Sequence, residues 1–184
     1  MNKAGRAKKS VCSLGFTALV MCSAVQADDC VRSTPSPVFA AARKDVQAHI
    51  FTLKSDHEAV ERFKLAPGMQ VKVEHGGCEY FVTKIRFEAP ELFAKTYTDA
   101  MAYETAASLL RTLNNARPEV GFDLGLASET LLAEARRKRT PKLDHELSIQ
   151  GDGVPPLQAR IVIDAAGRAR SLGYLEVTLF RGPL

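Results

Sequence analysis

Between Gln47 and Phe87 the chain repeatedly places apolar residues at every second position, and at Pro90 that period changes. The clearest run is Met69 to Glu74. Val71 and Val73 fall on one face, and Gln70, Lys72 and Glu74 on the other, the pattern of a half-buried strand. Ile50 to Leu53 and Val60 to Leu65 read as strands before it, with Phe63 and Leu65 on one face. Cys78 to Phe87 reads as the strand after it, with Phe81, Ile85 and Phe87 on one side. The breaks between these runs carry turn residues: Ser55-Asp56-His57, Ala66-Pro67-Gly68 and His75-Gly76-Gly77. In the second, Pro67 is expected to set φ at one central position and Gly68 to supply positive φ at the next.

Helical spacing follows. Phe93, Tyr97, Ala100, Ala107 and Leu110, joined by Leu92, Met101 and Leu113, predict a helix over 90–114 with Pro90 at its first position. A second helix is expected to start at an N-cap Ser128 and to hold Arg136, Arg137, Lys138 and Arg139 in its last turn. Pro141 closes it. Alternation then returns at Leu143 to Ile149, with His145 among the residues on one face, at Ala159 to Ile163 and at Leu172 to Phe180. The last two form a hairpin around the loop Asp164 to Arg168. The expected fold class is α+β: an antiparallel β-meander, two central helices packed on one sheet face, and C-terminal antiparallel strands.

Ahead of this pattern lies a different segment. Lys3, Arg6, Lys8 and Lys9 precede an apolar run from Val11 to Met21, and Val25-Gln26-Ala27 then offers compact residues before Asp28. The segment reads as a secretory signal peptide over 1–27, its eleven-residue apolar run being too short to span a bilayer as a helix. Met21 before Cys22 argues against a lipoprotein signal, where a small residue is expected. The organisation is therefore a signal peptide over 1–27, an N-terminal lead-in over 28–46 and a single α+β domain over 47–184. The destination is periplasmic or secreted. Removing 27 of the 184 residues leaves 157, and no later stretch has the apolar length of a membrane helix.

Export also settles the charge. The chain has 25 Lys plus Arg and 21 Asp plus Glu, and the four surplus cations all lie in the signal. The mature part is formally neutral, which counts against a nucleic-acid partner. Cys30 and Cys78 remain after Cys12 and Cys22 leave, and an oxidising compartment permits one pairing. Closing that loop would stabilise the fold by about 4 kcal/mol.

Chemistry-bearing motifs are sparse. Asp56-His57-Glu58 and Asp144-His145-Glu146 could supply metal ligands or acid–base groups only if the two triplets met, since neighbours on a strand point to opposite faces. A half-cystine at Cys78 excludes a cysteine nucleophile there. Gly-x-Ser-x-Gly and phosphate-cradling glycine loops are absent. No catalytic residue, metal site or cofactor is assigned; an enzyme reading would rest on His145, His57 and Glu58. Tyr97, Met101 and Tyr103 read as core more than as a ligand groove. The expected function is a non-catalytic protein-binding module (an inhibitor, an immunity protein or an envelope assembly factor) whose partner is another envelope or extracellular protein. Arg136, Arg137, Lys138 and Arg139 are the candidate contact. A carrier of a small apolar ligand, or a small envelope enzyme with a dispersed site, are the alternatives.

Overall fold

The computed structural model describes residues 33–39, 45–93, 97–116, 122–139, 142–149 and 159–182. The expected signal segment, the cleavage point, Cys22 and Cys30 lie outside them. Four strands come first: β1 (Val46–Ser55), β2 (Glu58–Leu65), β3 (Met69–Gly76) and β4 (Phe81–Ala89). Two helices follow, α1 (Asp99–Asn115) and α2 (Leu124–Ala135), and then β5 (Leu147–Ile149), β6 (Ala159–Ala169) and β7 (Leu172–Arg181). All seven strands join one antiparallel sheet in the order β1-β2-β3-β4-β7-β6-β5. The fold is α+β, as the period change implies.

Register explains how one sheet is buried on one side. Glu61, Val73, Ile85, Val177 and Ile163 form a row across five strands. Phe63, Val71, Phe87, Leu175 and Ala166 form the next. Apart from Glu61 these rows are apolar, and every member is buried. The alternate positions, Arg62, Lys72, Arg86 and Glu176, form a charged row on the opposite face. Alternation at period two thus sends the apolar set to the helix side and the charged set outward. The helices cover the inner face over β5, β6 and β7.

Several boundaries differ from the sequence expectation, each for a local reason. The first helix starts at Asp99, capped by Thr98, whose hydroxyl accepts from the Met101 amide at 3.3 Å. Pro90 to Phe93 form a turn instead of a first helical turn, with Phe93 at φ 50°. The Arg168 guanidinium donates to the carbonyls of Pro90 at 3.0 Å and Leu92 at 3.2 Å, which fixes that turn against the end of β6. The Leu92 carbonyl lies over Gly173, where a Cβ would meet it at 1.6 Å, so only glycine admits the crossing.

The second helix starts at Leu124, with Asp123 accepting from the Leu126 amide at 2.9 Å. Ser128 is therefore not its cap. It is buried mid-helix and donates to the Ala107 carbonyl of α1 at 2.7 Å, pinning the two helices together. Because α2 ends at Ala135, Arg137, Lys138 and Arg139 lie beyond it and Arg136 is its C-cap.

In the β2–β3 turn the Gly68 amide closes on the Leu65 carbonyl at 2.7 Å. Pro67 is thereby third in the turn, behind a cis bond, and not second. The expected strand from Leu143 shortens to Leu147–Ile149, since Asp144 takes φ 64° and donates its amide to the Ile163 carbonyl. Asp164 to Arg168 lies within β6, which bulges between Ile163 and Ala165; the hairpin turns instead at Arg170 and Ser171. The expected strand from Cys78 begins at Phe81, leaving Cys78 half-buried in the β3–β4 turn. There Gly77 has φ 96°, and a Cβ would lie 1.9 Å from the Tyr80 carbonyl oxygen.

Candidate functional site

The two Asp-His-Glu triplets do not meet. His57 sits in the turn joining β1 to β2, and His145 is exposed just before β5. Strands β1 and β5 are the opposite edges of the sheet. Six strand spacings separate them, about 29 Å at ~4.8 Å each. His57, Glu58 and His145 thus form no common site. Among the described residues, no group of three or more His, Cys, Asp or Glu side chains is arranged to hold a metal ion.

The structure instead gathers His49, Glu61 and His75. Glu61 lies on the inner face of β2 with no exposed surface. Ala48, at φ 52°, and His49 together face Phe63 where β1 bulges. The bulge shifts the strand's phase so that both Val46 and His49 point inward. His75 is inward by the same alternation that buries Val71 and Val73. Both imidazoles are diagonal neighbours of Glu61, within reach of long side chains.

A carboxylate only accepts, so each ring presents Nε2–H to it. His49 Nε2 lies 2.5 Å from Oε1 and His75 Nε2 3.3 Å from Oε2. The amides of Phe39 and Val38 donate to Oε1 at 2.9 Å and Oε2 at 3.2 Å. Four donors thereby fill the carboxylate's accepting sites. Burial pushes the Glu61 carboxyl up, but the bonds from His75, His49, Phe39 and Val38 outweigh it and hold the group below its ordinary 4.5. The carboxylate oxygens and both Nε2 atoms are engaged within the cluster, and the carboxylate also binds main-chain N–H groups of the segment 33–39, so the cluster acts as an anchor.

The outer face carries a different arrangement. Arg86 donates to Glu88 and Glu176, each at 2.6 Å, and lies 4.6 Å from the centre of the Tyr174 ring. Lys84 also pairs with Glu176, at 3.3 Å, and Lys72 pairs with Glu74. Arg86 and Lys84 outweigh partial burial and hold the Glu176 carboxyl below its ordinary range. Arg160 pairs with Glu146 at 2.8 Å. Arg62 and Lys64 are exposed on β2 and have no carboxylate partner among the described residues. They line an open groove of about 530 Å³ with Ile50, Lys72, Arg86 and Glu88. Four cations face it against two carboxylates, Glu88 and Glu176. Ile50 is 59% exposed at its β1 side.

The candidate contact at the end of α2 is also exposed. Arg137 pairs with Glu134 at 2.7 Å, while Arg136, Lys138 and Arg139 point to solvent. The Tyr97–Met101–Tyr103 stripe divides. Tyr103 is buried and donates to the Lys142 carbonyl at 3.2 Å, Tyr97 bonds the Ala166 carbonyl, and Met101 is 45% exposed. Burial, with Glu134 and Asp99 nearby, pushes the Tyr103 phenol up to about 12.

Comparison with protein-family models, with curated proteins and with solved structures finds no match to this chain.

Proposed function

We propose that this chain is an exported, non-catalytic protein-binding module that docks an acidic protein segment on its outer sheet face. The observation that carries this reading is the groove on that face. Of the four cations that line it, Lys72 and Arg86 have a carboxylate partner among the described residues, whereas Arg62 and Lys64, beside exposed Ile50, do not. Unpaired cations flanking an apolar side chain suit a partner that brings Asp or Glu around an apolar contact. Arg136, Arg137, Lys138 and Arg139 form a second basic patch, which ranks behind the groove because no exposed large apolar residue stands within it. Export places the module in the periplasm or outside the cell, with Cys30 and Cys78 joined as a cystine. Intact-mass measurement under non-reducing conditions should give a chain starting at Asp28 and about 2 Da light, gaining that mass on reduction.

The test of docking uses a soluble Asp/Glu-rich peptide with one central Leu, titrated calorimetrically into the protein. Binding should weaken as salt rises from 0.05 to 0.5 M, which shortens the Debye length from about 14 Å to about 4 Å. Arg62→Glu with Lys64→Glu should weaken it at least about tenfold, or ~1.4 kcal/mol. Loss of binding on Arg136→Glu with Arg139→Glu instead would transfer the contact to the helix end. Equal affinity for a nucleic-acid oligomer or for anionic vesicles would replace a protein partner by general polyanion binding.

A further inference from the structure

Residues 33–39 meet the sheet at Val38 and Phe39, which pack on the core and bond to β2. Among the described residues, their hydrogen bonds to the sheet all end on one side chain, the Glu61 carboxylate. Their main apolar anchor is Phe39, 1% exposed, with its ring centre 4.7 Å from that of Phe63. Ser33 to Pro37 are exposed or half-buried. The helices pack over β5, β6 and β7, at the other side of the sheet. Over β2 near Glu61, Phe39 and Val38 of this segment are the cover that the described residues provide.

We propose that residues 33–39 are a detachable strap, clasped by the Glu61 carboxylate and released when that carboxylate is protonated. A protonated carboxyl carries an O–H donor, which would face four N–H donors with too few acceptors to serve them. It also gives up the charge that makes the Val38 and Phe39 bonds strong. The groups facing Glu61 are few. His49 approaches from β1 and His75 from β3; the strap brings only the Val38 and Phe39 amides, and no other charged group among the described residues acts on it. Since its hydrogen bonds hold Glu61 below 4.5, the clasp is fully closed above that pH. It opens as pH falls through the lowered folded value. The core rows of β3, β4, β7 and β6 contain no such group, so they remain closed while the strap opens.

Amide hydrogen exchange read by NMR on the whole chain tests this, with rates corrected for intrinsic exchange. At neutral pH the Val38 and Phe39 amides should be protected. On acidification below the ordinary carboxylate range their protection should fall about 100-fold, while Ile85 and Val177 keep theirs. Glu61→Gln should show the acid behaviour at neutral pH. Phe39→Ala, which leaves the carboxylate and removes the ring anchor, should lower Val38 protection and spare Ile85. Three results would overturn the proposal. They are unprotected strap amides at neutral pH, protection unchanged by acid, or loss of Ile85 and Val177 protection together with the strap in acid or in both variants.

Discussion

Glu61→Ala should lower the unfolding free energy by roughly 3 kcal/mol, seen as a lower denaturation midpoint with little change in slope. The wild-type carboxylate has no contact with solvent, yet four donors satisfy it. Removing it leaves two imidazole N–H groups and two amides without an acceptor, and each such orphan costs about 1–3 kcal/mol if it stays dry. The estimate stands at the low end because release of the strap lets water reach Val38 and Phe39. The substitution should also change the acid limb. A group whose folded value is depressed contributes stability above its unfolded value, and that stability is lost as pH falls through the folded one. Wild type should therefore lose stability below 4.5 at up to about 1.4 kcal/mol per pH unit from this group, and the variant should lack that component. Equal acid limbs in both proteins would show that Glu61 does not carry the effect.

Phe87→Ala should cost more, about 3–5 kcal/mol. Phe87 has no exposed surface and sits in the central strand, paired with Val71 on β3 and Leu175 on β7. It thus ties the N-terminal meander to the C-terminal strands, and the cavity left behind lies where neither half can collapse without breaking register. Chemical denaturation should show the loss. A cost below about 1 kcal/mol would mean that the two halves are not packed through this row.

The same alternation that made the fold legible also concealed the buried cluster. Val71 and Val73 announce the inner face of β3, and Phe63 and Leu65 that of β2. Extending each by two residues reaches His75 and Glu61. Charge and turn residues argue against that extension, because a lone ionised carboxylate is not expected in a core. What resolves the conflict is tertiary: the bulge at Ala48 that brings in His49, and two amides from residues 22 and 23 positions earlier. Neither has a local signature. The helix starts differ from the sequence expectation for a related reason. Pro90 and Ser128 each suit a helix end, but Arg168 holds the Pro90 turn and Ala107 engages Ser128, both from distant parts of the chain. The outer groove was hidden because Arg62 and Lys64 look like any solvated strand face until the ion pairs of their neighbours are known.

Docking on that face can be mapped residue by residue. Backbone NMR shifts recorded while the Asp/Glu-rich peptide is added should move most at Ile50, Arg62, Lys64, Lys72 and Arg86, and little at Arg136 to Arg139. Shifts centred on the end of α2, or none at a peptide concentration that saturates binding, would contradict the account.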